Sequence, residues 1–455
     1  MRDPAHRPST GSWRWSVGPA ERWYHAAMLS PPEAWAAIAG RLEVLDAERC
    51  ARRDAVGRVL AADVAATVDV PPADVSAMDG FALDARAVAA ARQQSGAPVR
   101  GVVAAGDLPD RQLEAGSAMR IMTGAAVPQG ADRVVPIEET ESVSVGSDAG
   151  DPGDDPEADQ SVGSRIRLLA SPEPGLHIRR RGEVARAGAP VLRAGSLLTP
   201  ATLGLLATHG IAEVEVHARP TVAFLTTGNE VVDPDREPGP GQLRDSHSDF
   251  FVAAAAQLGI AAERLGIARD DPADLRRKIE RGLRSQVLLI SGGVSKGDFD
   301  LVEEILAGEQ CEILFDAVAI QPGKPMVAAR HAGGCVFALP VNAESAMGTY
   351  GLFVRPTLRC MMGHRDHHWR ETLRGTLGGE LPGAKGRDRS LPATVRFDEG
   401  DIVVEPLLPL GSHDVAAYAH GTALVRVPAG SGPSAAGDSC EILPLIDWPP
   451  DTLAR

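Results

Sequence analysis

Four apolar runs between Arg219 and Ala346 constrain this chain more than any other feature of it. "PTVAFLTTGNE", "AERLGIARDD", "QVLLISGGVSKGDFD" and "GCVFALPVNAESA" each read as a buried strand that runs into a polar or glycine-bearing loop. Helical stretches such as "SDFFVAAAAQLG" and "FDLVEEILAG" lie between them. Strands alternating with helices build a mostly parallel α/β sheet, whose ligand crevice opens beyond the C-terminal ends of the strands. All four loops are therefore expected on one edge.

That edge has a definite chemistry. Glu230, Asp270, Asp271, Asp298 and Asp300 supply hard oxygen atoms, while Ser291, Gly292, Gly293 and Ser295 supply amides and hydroxyls before a helix N-terminus. Carboxylates recruit Mg²⁺, and a glycine-rich loop before a helix receives phosphate or another oxyanion. Each carboxylate taken singly reads more readily as a helix cap or a solvated loop residue. Their convergence on one crevice favours an oxyanionic ligand with a metal. No GxxxxGK[ST] phosphate loop occurs.

The rest of the chain sorts around this core. From Ser30, "SPPEAWAAIAG" carries an N-cap serine, a proline at the first helical position and Glu33 placed for a capping box, so ordered structure is expected to begin near Met28. Residues 1–27 show no clean period and read as a leader or tail. Residues 28–67 and 170–217 are taken as an N-terminal linker or dimerisation domain, in which "LTPATLGLLATHG" is a helix capped by Thr199 and stopped at Gly210. Short runs such as "PVRGVVAAGDLP" and "ADRVVPIEET" make 68–169 an extended β domain, with a solvated acidic loop at 146–163. The α/β domain is placed at 218–362 and a C-terminal β domain, carrying "DIVVEPLLPL" and "GTALVRVPAG", at 363–455. The fold class is thus α/β plus all-β, multidomain: a three-layer α/β domain, an extended β domain and a barrel-like C-terminal domain.

A hydrophobic content of 44% is enough for real cores, and 61 acidic against 46 basic residues leave a net charge of -15. Broad electrostatic capture of nucleic acid or an anionic membrane is excluded on that balance. Five scattered cysteines, with no CxxC pair, argue against a disulfide framework and a structural zinc site, and fit a reducing cytoplasm. No apolar run approaches the ~20 residues of a membrane-spanning helix.

A polyanionic ligand must then find local basic groups. "HIRRRGE" sets Arg179, Arg180 and Arg181 in a row, and on a strand the first and third would share a face. Lys324 sits in a rigid "PGKP" turn. "CMMGHRDHHW" offers His364, His367 and His368, which read as a solvated linker at a domain junction rather than a metal site. Asp79, in "SAMDGFA", is isolated among small and apolar residues, and a carboxylate there must be paired, capping or turned to a ligand.

In chain order, "DVSAMDGFA", "RIMTGAAVP", "HIRRRGE", "TTGNE", "SGGVSKGDFD", "IQPGKP" and "LPVNAES" resemble the molybdopterin molybdenumtransferases, the MoeA/gephyrin family. The resemblance implies insertion of molybdate into adenylylated molybdopterin with Mg²⁺ and release of AMP. It further implies a homodimer of four-domain subunits whose active site is shared, with the molybdopterin adenylyltransferase and recipient molybdoenzymes as further partners. It makes Asp79 and Thr123 residues lent by one subunit to the crevice of the other, and Glu230, Asp270 and Asp300 acidic active-site positions that would also hold the metal. Arg179, Arg181, Thr227, Gly292, Gly293, Ser295, Lys324, Pro340, Asn342 and Ser412 would bind substrate.

The chain also departs from that family's pattern. "LPVNA" stands where LPGNP is usual, so Val341 replaces glycine and Ala343 replaces proline. Valine tolerates positive φ poorly, and a reshaped loop is expected. Gln321 replaces a lysine, Val184 an acidic residue, Asn229 an aspartate and His247 an asparagine. Two other readings stand beside the transferase. One is a paralogue that binds molybdopterin or molybdate with little turnover; the other is a nucleotide-pyrophosphate hydrolase built on the same α/β domain.

Overall fold

The computed structural model describes residues 28–107, 111–143, 162–292, 301–365, 373–411 and 413–445. The chain divides into two compact units, Ala47–Val216 and the remainder, Met1–Asp46 with His217–Arg455. The second unit begins, in its described part, with α1 (Pro31–Ala39). Glu33 accepts hydrogen bonds from the Ser30 amide at 2.8 Å and the Ser30 hydroxyl at 2.7 Å, which satisfies the helix start. Ala34, Trp35 and Ile38 of this helix pack into the α/β core, so residues 28–46 group with that domain and apart from the rest of 28–67.

In Ala47–Val216, six strands form one sheet: β1 (Gly80–Leu83), β2 (Ala97–Val103), β3 (Ala118–Ile121), β4 (Arg133–Pro136), β5 (Thr140–Val143) and β6 (Arg165–Leu168). They lie in the order β4-β1-β3-β2-β6-β5. Alternation along β1 sends Phe81 and Leu83 to one core and Ala82 to another on the opposite face. A separate cluster of Leu60, Leu198, Leu206, Val214 and Val216 joins the two chain segments that flank this sheet. Its helix, Pro200–Thr208, starts at Thr199, whose side chain accepts from the Thr202 amide, and ends before Gly210 at φ 66°.

The α/β sheet contains β7 (Val222–Thr227), β8 (Ala262–Ala268), β9 (Val287–Ser291), β10 (Glu312–Ala317), β11 (Pro325–His331) and β12 (Gly334–Leu339), in the order β8-β7-β9-β12-β11-β10. The first four in that order are mutually parallel; β11 pairs antiparallel with β12, and β10 antiparallel with β11. Both faces are covered, which is why the strands read as continuous apolar runs. Val222, Phe224, Leu289 and Phe337 face α2 (Ser246–Gln257) through Phe251 and Ala255. Ala223, Leu225, Leu288 and Ile290 face α3 (Pro272–Gly282) and α4 (Leu301–Gly308) through Leu275, Ile279, Val302 and Ile305. Beyond β12 the chain enters α5 (Ala343–Thr349).

The C-terminal strands β13 (Leu373–Leu377), β14 (Asp388–Asp398), β15 (Asp401–Pro406), β16 (Ala423–Val427) and β17 (Ser439–Pro444) pair β14-β15-β13-β17-β16, and β16 pairs back to β14. That return closes a five-stranded barrel around Leu391, Val395, Val404, Val425 and Ile442. Between β15 and β16 lies α6 (Val415–His420). Ile320 and Gln321 pair in parallel with Asp388 and Arg389 of β14, tying the segment before the "PGKP" turn to the barrel. None of the five cysteines is joined to another in a disulfide. Among the described residues, no helix is long and apolar enough to cross a membrane.

Candidate functional site

The parallel registers decide where the loops emerge. Thr227 pairs with Ala268, Thr226 with Ser291, and Ser291 with Leu339, so β7, β8, β9 and β12 end together at one edge. A cavity of about 400 Å³ opens there. Thr227, Glu230 and Asn342 line it, with Val341 and Ala343 of the "LPVNA" segment beside Asn342 and His413, before α6, closing another side.

Each wall has a local cause. Gly228, at φ 134°, lies under the Glu230 side chain, and a Cβ on it would meet that carboxylate at 2.6 Å. Glycine there lets the acid fold back over the strand end. Behind Thr227 sits Gly292 at φ 94°, and the Thr227 hydroxyl donates to the Ser291 carbonyl at 3.1 Å. Asp270 is exposed at the end of β8 and holds Asn229 in a reciprocal pair: each backbone amide donates to the other's side-chain oxygen at 3.3 Å. Arg269 then gathers the loop that carries Glu230, donating to the Asn229 carbonyl at 3.2 Å and the Val231 carbonyl at 3.3 Å. The sequence reading missed Arg269.

It also missed the floor. Asp245 is buried and accepts from the His247 amide at 3.1 Å, the Ser248 amide at 3.0 Å and the Thr226 hydroxyl at 2.8 Å. It caps α2 and bolts that helix to β7. "RDSHSD" does contain an N-cap signature that could have found it. His247 bonds Ser291 through Nδ1, and burial holds its pKa below the ordinary histidine value, against the opposing pull of Asp245. Glu344, just inside α5, is buried, and its pKa is pushed up to about 7 chiefly by desolvation, with Asp414 adding to the rise and Arg389 opposing it.

The "LPVNA" loop answers the expectation placed on it. Among described residues the non-glycine positions with positive φ are His177, Gln310 and Glu399; Val341 is not one of them, and it stands 51% exposed. The backbone route here needs no glycine. Pro340 is buried and Asn342 exposed, immediately before α5. Lys324 is exposed in its turn. Gly293, Ser295, Asp298, Asp300 and Ser412 lie outside the described residues, as do His367, His368 and the acidic loop apart from Val162 and Gly163.

The remaining predicted residues belong to Ala47–Val216. Asp79 accepts from the Thr123 amide at 2.7 Å, and both residues are exposed, so this carboxylate pays no desolvation within the chain. Exposed Met78 and Met122 precede them. The expected strand over the three arginines stops early, at Ile178–Arg179, because Arg180 to Glu183 form a turn. Arg180 pairs with Asp74 and Arg181 with Asp69, both at 2.6 Å, whereas Arg179 is exposed with no side-chain partner among the described residues. Arg179 and Arg181 therefore do not act as a shared face.

Comparison with known proteins matches three consecutive regions of the chain. The MoeA N-terminal region (domain I and II) corresponds to residues 29–210, the probable molybdopterin binding domain to 223–360 and the MoeA C-terminal region (domain IV) to 374–445. Molybdopterin molybdenumtransferase 2 of Mycobacterium tuberculosis is 34% identical over 86% of this chain and 93% of its own. The molybdopterin molybdenumtransferase of Staphylococcus aureus is 30% identical over 90% of this chain and 94% of its own. A crystal structure of molybdopterin biosynthesis MoeA protein from Pyrococcus horikosii superposes with a TM-score of 0.75 at 28% identity, covering 93% of this chain and 100% of that one. With the three regions in order and relatives aligned along nearly their full lengths, this chain belongs to the MoeA family of molybdopterin molybdenumtransferases.

Proposed function

We propose that this chain acts in molybdenum cofactor biosynthesis as an enzyme that inserts molybdate into adenylylated molybdopterin and releases AMP. The observation that carries the reading is the crevice itself: a Thr–Gly strand end, a glycine-backed Glu230 and the Asn342 loop converge on one cavity, in a chain aligned with named transferases over most of its length. Matches to the regions flanking the α/β domain speak against a simple nucleotide hydrolase.

The side-chain amide of Asn342 would orient the phosphate groups, and the apolar side chains of Val231, Val341 and Val415 would limit the water around them. Among the described residues no three His, Cys, Asp or Glu side chains gather closely enough to hold a metal alone. Two hard carboxylates, Glu230 and Asp270, do suit Mg²⁺, which takes one or two protein carboxylates and completes its shell with substrate phosphate and water. Bound Mg²⁺ would supply charge neutralisation on the phosphates as AMP departs. We further propose a homodimer in which Asp79 and Thr123 of one subunit act on substrate held in the other's crevice. The support is an exposed carboxylate held ready by a backbone amide, with exposed Met78 and Met122 beside it. Its substrate comes from an adenylyl-transferring enzyme, and its product passes to molybdoenzymes.

Complementation of a strain lacking its own molybdenumtransferase tests the reading, with molybdoenzyme activity as the measure. Restored activity by the wild type and its loss in Glu230→Gln are expected. Binding of molybdopterin without restored activity would instead favour the low-turnover paralogue.

A further inference from the structure

The segment from Leu243 to His247 lines the crevice, and one of its side chains carries an unused donor. His247 is the second residue of α2, a helix of 12 residues, and the residue is 7% exposed. The Nδ1 contact to Ser291 is the ring's one hydrogen bond among the described residues. Phe251 meets the ring edge-on, with centroids 6.0 Å apart, and fixes its plane.

Ser291 decides the tautomer. Its hydroxyl is nearly inaccessible at 2% exposure, and His247 Nδ1 is its one side-chain partner among the described residues. If Nδ1 carried the proton, it would donate to the hydroxyl oxygen and leave the hydroxyl proton with no acceptor, a cost of about 1–3 kcal/mol. If Ser291 donates to a bare Nδ1, both groups are satisfied and the imidazole proton sits on Nε2. The neutral ring then presents one N–H as a donor. The amides of His247 and Ser248 are already used by Asp245, so neither of them is a spare donor for a ligand. Arg244, exposed on the same wall and with no side-chain partner among the described residues, supplies the nearby positive charge.

We propose that His247 is a substrate-binding residue of this crevice, held by Ser291 as the Nε2–H tautomer and donating, alongside Arg244, to an oxyanion of the ligand. This rests on the transferase reading for the identity of the ligand, and the chemistry it recognises is that of a tetrahedral oxyanion. Molybdate and a nucleotide phosphate both have it.

The test uses the full chain labelled with ¹⁵N-histidine, with His247 assigned by difference from His247→Asn. Expected are a pyridine-like Nδ1, a pyrrole-like Nε2, and movement of the Nε2 resonance on adding either sodium molybdate or AMP; which of the two moves it identifies the oxyanion. His247→Ala should weaken that probe roughly tenfold or more by calorimetry, as for a lost hydrogen bond to a charged group, and His247→Asn, which keeps an N–H donor, should recover part of the loss. A pyrrole-like Nδ1, or an Nε2 unmoved by both probes, overturns the proposal. A chain that fails complementation yet shows the shift would lose the transferase reading and keep the oxyanion contact.

Discussion

Gly292 lies so close to Thr227 that a Cβ on it would stand 2.5 Å from the Thr227 hydroxyl oxygen. That hydroxyl is held in place by its bond to the Ser291 carbonyl, and the glycine itself sits at φ 94°. Gly292→Ala is therefore expected to lose roughly 1–3 kcal/mol through backbone strain and the forced displacement of Thr227. Denaturant unfolding measures it. Thr227→Ala in the same chain should recover part of the loss, and strictly additive effects would show that the two residues are not in conflict.

Arg269 holds the Glu230 loop through backbone carbonyls. Arg269→Met should lower kcat about tenfold, equivalent to about 1.4 kcal/mol of transition-state stabilisation, with a smaller change in melting behaviour. A variant with unchanged kcat would show that the loop keeps its position without the guanidinium.

Glu344 carries a pH dependence with a definite sign. Its folded pKa, about 7, lies above the ordinary 4.5, so the folded state binds the extra proton between those values. Stability from this group is present below about pH 4.5 and is lost as pH rises through about 7. Glu344→Gln should stabilise the protein at pH 8 by on the order of 1–3 kcal/mol, and the gain should shrink toward pH 4.5. Thermal melts across that range would refute this if the difference were flat.

Val341 does not sit in the left-handed region, and Ala343 opens α5, where proline is well accommodated. Restoring the family pattern with Val341→Gly and Ala343→Pro should thus move the half-saturating molybdate concentration by less than about threefold, or about 0.7 kcal/mol. A larger gain would mean that valine does obstruct the bound oxyanion.

Sharing of the active site is tested by mixing subunits. Inactive Asp79→Ala and inactive Glu230→Gln chains, allowed to exchange, should regain partial activity, because a mixed dimer has one crevice with both residues intact. Proven exchange without recovery removes the shared site.

What the sequence determined by itself was the set of elements and the edge on which chemistry collects. Apolar runs with both alternating positions buried, such as "VAFLTT" and "VLLIS", demand a sheet covered on two faces, and helices between them demand parallel strands, so Thr227, Gly292 and Asn342 could be assigned to one edge before any coordinates. Capping chemistry was equally local, which is why Ser30, Glu33 and Thr199 were legible. Tertiary structure decided what depends on contacts between distant parts of the chain. Whether Arg181 is available for substrate turns on Asp69, more than a hundred residues away, and the tautomer of His247 turns on Ser291. That α1 joins the α/β core depends on where Trp35 finds an apolar surface to bury against, and whether Val341 is strained depends on the φ that the whole loop adopts. A pattern of residue types carries periodicity and local hydrogen bonding; partner choice among equally competent groups is a property of three-dimensional packing alone.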